Sequence, residues 1–204
     1  TMYDLPKTVD VNGKTYAIRS DYRDILNVIA VLNNPDLGVS VLGDERAYAA
    51  MCIFYPDFDK ITDHAAAFEK LCWFVDRGEA HSGMDSKTPV YDFERDESLI
   101  APAVGQVLGC RIREIPYLHW WDFVDAFTQI GDGLFAQVVG VRTRKSKGKM
   151  TKDDKTFYAQ NKELIDRVRP NKKAPERVRT LTPEEGEEFL KQWREKKVNG
   201  SASE

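Results

Sequence analysis

The spacing of apolar residues changes along the chain and separates one short hairpin from a run of helices. Val9 and Val11, then Tyr16 and Ile18, alternate with polar neighbours, and Asn12-Gly13 lies between the two runs. Alternation turns one side of each segment to a core, and Asn-Gly tolerates the positive φ of a two-residue turn. Residues 1–20 are therefore predicted as an N-terminal β-hairpin. From Asp21 the period lengthens: Ile25, Val28, Ile29 and Leu32 share one helical face, with Ser20 or Asp21 as cap and Asn33-Asn34-Pro35-Asp36 as stop. A second helix follows Asp44, with Ala47, Met51, Phe54 and Tyr55 inward and Pro56 after it. A third runs from Thr62 or Asp63 to Arg77, is closed by Gly78, and carries Phe68, Leu71, Cys72 and Val75 as its core stripe. Trp73 falls on the charged face of that helix with Glu69 and Asp76, a place for an inter-helix contact or for a partner anchor.

Residues 79–90 show no period and contain Gly, Ser and Pro, which predicts a mobile loop. A short extended piece, Val90 to Phe93, leads into a helix over residues 95–108 that contains Pro102 and ends at Gly109. The segment 117–130 is the most apolar: Tyr117, Trp120, Val124 and Phe127 form one stripe, widened by Phe123, Ala126 and Ile130. A helix apolar around most of its circumference is buried, so Trp120, Phe123, Val124 and Phe127 are the candidate structural core. Leu134 to Val141 forms a further short helix, 142–149 a mobile basic stretch, and Thr151 with Asp154 a capping box opening a helix to Val168. Thr182-Pro183-Glu184-Glu185 starts a last helix, with Phe189 and Trp193 four residues apart. The expected fold is mainly α: a hairpin (1–20), a helical body (21–141), a basic helical extension (142–198) and a disordered tail (199–204).

Charge sharpens this division. The 204 residues carry a formal net charge of −3, yet 1–140 hold 12 basic against 22 acidic residues and 141–204 hold 18 against 11. An acidic body followed by a basic extension is the mark of an interaction tail. Arg142, Arg144, Lys145 and Lys147 are its candidate contacts, together with the apolar anchors Phe157, Leu164, Phe189 and Trp193 on the two C-terminal helices. The 142–179 region has the charge to bind nucleic acid, but aromatics for base stacking are few there and the acidic body repels a polyanion. An acidic protein surface, including that of another copy, fits the same charge.

Other chemistry finds little support. Cys52, Cys72 and Cys110 are too far apart for a zinc site or a disulfide framework, and their usage fits a reducing compartment. His64, His81 and His119 accompany no recognisable nucleophile arrangement, and no glycine-rich nucleotide loop occurs. No apolar run reaches membrane-spanning length and no signal-like segment opens the chain. The expectation is a non-enzymatic protein without catalytic residues, metal or cofactor.

The order of features resembles a phage protein family named for gene product fifteen, found in siphophages and prophages of Gram-positive bacteria. The similar stretches are Leu5 to Val9, Val11 to Tyr16, Ser20 to Arg23, Phe54-Tyr55-Pro56 and Leu71 to Phe74 with Gly78. More specific are Tyr91-Asp92-Phe93-Glu94-Arg95-Asp96 and Ile115 to Phe123, followed by Val139-Gly140-Val141-Arg142 and Lys155 to Tyr158. The resemblance spans residues 5–168 and leaves the 182–197 helix outside it. It implies a gene between those of the tail tube and the tape measure. The implied role is that of a tail assembly chaperone that binds the tape measure protein, recruits tail tube protein and self-associates. It would act in the host bacterial cytoplasm and be absent from the mature virion.

Overall fold

The computed structural model describes residues 3–34, 39–40, 43–79 and 90–168, which divide into two compact units, one within 3–79 and one within 90–168. The architecture is mainly α, with an N-terminal two-stranded antiparallel hairpin as the alternation predicts.

In the first unit β1 (Thr8–Val11) pairs with β2 (Lys14–Ala17), Val11 opposite Lys14. Asn12 and Gly13 take φ of 52° and 81°, the two left-handed residues that a tight turn matching the strand twist requires. Val9, Val11, Tyr16 and Ile18 are buried. Asp21 caps α1 (Tyr22–Leu32) by accepting from the Arg23 N–H, and Ile25 and Val28 of that helix are fully covered. A minimal hairpin of β3 (Val39–Ser40) and β4 (Gly43–Asp44) precedes α2 (Glu45–Phe54), which packs on α1. The end of α2 is closed by Arg19: its guanidinium donates to the Cys52 and Ile53 carbonyls and its backbone N–H to Phe54 O. Asp63 caps α3 (His64–Val75), which lies against α2 and β1.

The buried face of α3 is Ala67, Leu71 and Phe74, not the expected stripe of Phe68, Leu71, Cys72 and Val75. Phe74 is drawn inward by the Phe54 ring, 5.3 Å away, which leaves Phe68, Cys72 and Val75 half-buried. The helix stops at Val75, before the expected Arg77, because Arg77 and Gly78 both turn left-handed and the Gly78 N–H reaches back to Trp73 O at 2.8 Å.

The second unit contains α4 (Glu97–Leu108), α5 (Trp120–Thr128), α6 (Leu134–Ser146), α7 (Lys152–Gln160) and the single-turn α8 (Lys162–Ile165). Its core joins Leu99, Ile100 and Val104 of α4 to Trp120, Phe123 and Ala126 of α5 and to Phe135, Val138 and Val141 of α6. Gly109, at φ 69°, ends α4 as expected, and Pro102 is accommodated inside it. The apolar segment starts its helix at Trp120 rather than at 117, because His119 takes the cap position with Nδ1 accepting from the Trp121 N–H. Tyr117 is thereby left outside the helix. Trp120 and Phe123 are buried as expected, whereas Val124 and Phe127 are only half-buried. Phe127 still belongs to the aromatic cluster, with its ring 5.2 Å from both Tyr91 and Phe93 and 5.6 Å from Phe135.

Two further differences bear on the candidate site. First, α6 continues through Arg142, Arg144 and Lys145, so the boundary expected at 141/142 falls inside one helix, and the basic stretch from 142 to 146 is helical. Second, the helix expected from 151 to 168 is broken at Asn161 into α7 and α8. The capping box holds: Thr151 and Asp154 bond each other's backbone N–H reciprocally. The predicted 182–197 helix, with Phe189 and Trp193, lies outside the described residues, as do positions 80–89 of the predicted loop.

Candidate functional site

The basic end of α6 was the strongest charge signal in the sequence, and its side chains find partners inside the second unit. Arg142 is the deepest. Its Nε donates to Ile165 O (2.9 Å), Nη1 to Val90 O (3.1 Å) and Asp96 Oδ2 (2.6 Å), and Nη2 to Asp96 Oδ1 (2.9 Å) and Leu164 O (2.6 Å). A guanidinium has five N–H donors, and all five are used. The Arg142 side chain is 6% exposed and that of Asp96 is 0% exposed. A charge so placed is tolerable only when paired and fully hydrogen-bonded, and here it also closes the carbonyl end of α8.

Asp96 is positioned by the turn before α4. The Asp92 carboxylate accepts from the N–H groups of Glu94 and Arg95, and the Asp92 N–H donates in turn to Asp96 Oδ2. Tyr91 and Phe93, beside it, insert into the aromatic cluster. The two most specific family-like motifs thus build the core of one unit: Tyr91 to Asp96 supplies rings and the anion, and Ile115 to Phe123 supplies the helix they pack on. Val139 to Arg142 supplies the cation.

The next two cations hold α7 and α8. Arg144 grips Asp154 with two bonds of 2.7 and 2.6 Å, and Asp154 at the same time completes the capping box of α7. The Arg144 guanidinium, and then the Thr151 N–H, hold the Asp154 carboxyl well below the usual carboxylate range. Lys145 donates to Asp166 at 2.5 Å and to the Tyr158 hydroxyl at 3.1 Å, and its ammonium stands 4.2 Å over the Tyr158 ring. Tyr158 donates to the other Asp166 oxygen at 2.7 Å. This lowers the Asp166 pKa and raises that of Lys145, each chiefly through the bond to the other.

The expected contact residues therefore lie in different settings. Arg142 is not an exposed contact: it is a buried structural cation, and no partner reaches it while α8 is in place. Arg144 and Lys145 are partly exposed but already paired, whereas Lys147 is exposed. Phe157 and Leu164 are half-buried within α7 and α8. Trp73, in the other unit, is 40% exposed and lays its indole over Gly78, where a Cβ would stand 3.3 Å from Nε1. Pattern reading missed Asp96, Tyr158 and Asp166. The usable signal was the joint presence of the Tyr91–Asp96 and Val139–Arg142 motifs, which pairs an acid with a base.

Other surface features are apolar. Val107, Tyr117 and Leu134 of the second unit are 37%, 45% and 50% exposed. Leu134 borders an open depression of about 520 Å³ lined also by Gly133, Ala136, Gln137, Gly140, Asp132 and Arg144. Its only charged groups are one aspartate and one arginine, the latter engaged by Asp154, so it brings no acid–base pair together. Burial pushes the Cys72 thiol up to about 11, reinforced by Asp76 and Glu69, which makes it a poor nucleophile. Among the described residues no group of His, Cys, Asp and Glu is arranged to hold a metal, and no helix is long and apolar enough to cross a membrane.

Comparison with known proteins returns one family: the model described as Bacteriophage Gp15 protein matches residues 2–166, which takes in both units. Neither the curated proteins nor the solved structures give a match.

Proposed function

Since the chain belongs to the bacteriophage Gp15 family, we propose that it works as a tail assembly chaperone, a non-enzymatic protein that binds the tape measure protein and brings tail tube subunits to it. The observation that carries this reading is the family match over 2–166, together with the order of motifs that resembles tail proteins encoded beside the tape measure. The surface fits such work. Two small helical units present half-exposed Trp73, Tyr117 and Leu134, side chains suited to the apolar face of a helical partner. Pairing of Arg142, Arg144 and Lys145 with Asp96, Asp154 and Asp166 takes much of the basic stretch away from a phosphate backbone, which favours protein over nucleic acid as partner. The protein acts in the host cytoplasm during assembly, associates with copies of itself, and leaves before the virion matures.

Co-expression with the neighbouring tail proteins tests this directly. The tape measure protein co-purifies with the chain and stays soluble, and virions contain no stoichiometric copy. Stoichiometric presence in purified virions would instead make the protein a minor structural component of the tail. Removing residues 170–204, which lie beyond the family match, leaves both units folded and weakens partner capture or self-association.

A further inference from the structure

Residues 147–168 are attached to the rest of the second unit in an unusual way. Between Lys147 and Val168 the only apolar side chain that is buried is Ile165; Met150, Phe157, Leu164 and Val168 are half-covered, and the single other buried residue is the charged Asp154. What fastens the segment is chiefly charged hydrogen bonding: on α6, Arg144 to Asp154, Lys145 to Asp166 and Arg142 to the Leu164 and Ile165 carbonyls, and at the turn before α4, Arg95 and Arg167 each donating to the other's carbonyl. The segment leaves α6 at a sharp turn. Gly148, at φ 65°, donates to Lys145 O, and Lys149 donates to Arg144 O. A segment with little apolar burial, charge-based fastening and a glycine at its root belongs to the part of a protein that opens first.

We infer that α7 and α8 form a strap that opens from α6 as one unit, and that the edge it covers, built on Arg144 and Lys145, is a docking site for an acidic segment of a partner protein. Asp154 and Asp166 are the intramolecular occupants of that edge. They place one carboxylate on the Arg144 fork and one on the Lys145 ammonium, the arrangement an incoming acidic helix reproduces. Arg142 loses the Leu164 and Ile165 carbonyls when the strap opens but keeps its bonds to both Asp96 oxygens and to Val90 O, none of which belongs to α7 or α8. The edge gains two freed cations and keeps Lys147 and Lys149 beside it, both exposed. An acidic protein is the occupant that fits, since the cations are held in discrete pairs matched to carboxylates. This inference stands independently of the tail assignment.

Hydrogen exchange on the full chain tests the opening. The amides of α7 and α8 exchange together and at least about tenfold faster than those of Val138 to Arg142, and they speed up about threefold as salt is raised, because surface ion pairs are screened. Equal protection of α7, α8 and α6, unaffected by salt, would overturn the strap. In D154N/D166N exchange of α7 and α8 rises about tenfold further, from loss of two ion pairs and a cap, while α4 to α6 stay unchanged. Equal acceleration throughout would mean that the segment belongs to the cooperative core, and the inference fails. The edge is tested with short poly-L-glutamate as the probe. It binds D154N/D166N at least about tenfold more tightly than the unaltered chain, and adding R144Q/K145Q abolishes that gain. No gain in the first variant, or a gain that survives in the second, would overturn the docking site.

Discussion

Replacing Arg142 by methionine gives the sharpest test of how the second unit is held together. Methionine preserves most of the length and apolar stem of arginine but none of its five donors. The change strands Asp96 Oδ1 and the carbonyls of Val90, Leu164 and Ile165, and leaves Asp96 Oδ2 with the Asp92 N–H alone. Asp96 is 0% exposed, so water does not replace the lost partner without opening the unit. Removing one member of a buried, hydrogen-bonded pair costs about 3–5 kcal/mol, against about 0–1 kcal/mol for a surface pair. The lower figure is negligible and the higher one is a large part of a typical domain stability of about 5–15 kcal/mol. R142K keeps the charge but has three donors for five acceptors, and is expected to lose about 2 kcal/mol. In D96L/R142M no buried charge remains, and the loss falls to about 2–3 kcal/mol, well short of the sum of the two single changes, because only the stranded carbonyls still count. Urea unfolding followed by circular dichroism, with exchange at α4 and α6 to isolate this unit, measures the unaltered chain, R142M, R142K, D96L and D96L/R142M. Loss below about 1 kcal/mol in R142M, or additive losses in the double variant, would refute the argument.

Three other outcomes are expected. Asp154 and Asp166 titrate below the ordinary carboxylate range in the folded chain, so their stabilisation is complete above about pH 4 and is lost as pH falls through their folded values. The melting temperature should therefore drop on acidification below that point, and D154N/D166N should show a shallower drop from a lower start. Gly105 faces the Cys110 carbonyl, which a Cβ would approach to 2.9 Å; G105A should cost about 1–3 kcal/mol in chemical unfolding, whereas G131A, with nothing within 4 Å, should stay near neutral. Maleimide at neutral pH should label exposed Cys110 first and Cys72 much more slowly, the latter catching up only in denaturant.

The features legible in the sequence were those whose cause is local. Asn12-Gly13 fixes its own turn, Thr151 and Asp154 cap each other within one helical turn, and Gly109 stops α4 by its own left-handed conformation. Helical period also located α1, α2, α4 and α5. Reading failed where a partner from another element decided the outcome. Phe74 turned inward because Phe54 was there to meet it, and so rotated the stripe of α3. His119 capped α5 and shortened it. In the sequence Arg142 stands as one of several candidate contact cations because composition gives each charge equal weight, whereas Asp96, 46 residues upstream, makes it the most enclosed cation among the described residues. The basic stretch after residue 141 is thus less of a free tail than its count of lysines and arginines implies, since three of its members are anchors of the fold.

The separation of Asp96 from Arg142 also sets an order of events during synthesis. At about 5–20 residues per second, the 46 residues between them take roughly 2–9 s to translate. Through that interval Asp96 must stay hydrated, and α4 cannot be sealed against its neighbours. The carbonyls of Leu164 and Ile165, 22 and 23 residues later still, are the last acceptors the arginine receives. Among the described residues, the contacts of the hairpin and the first three helices are made within residues 3–79. On the ribosome the second unit should therefore wait, with its aromatic cluster exposed, for its final two dozen residues.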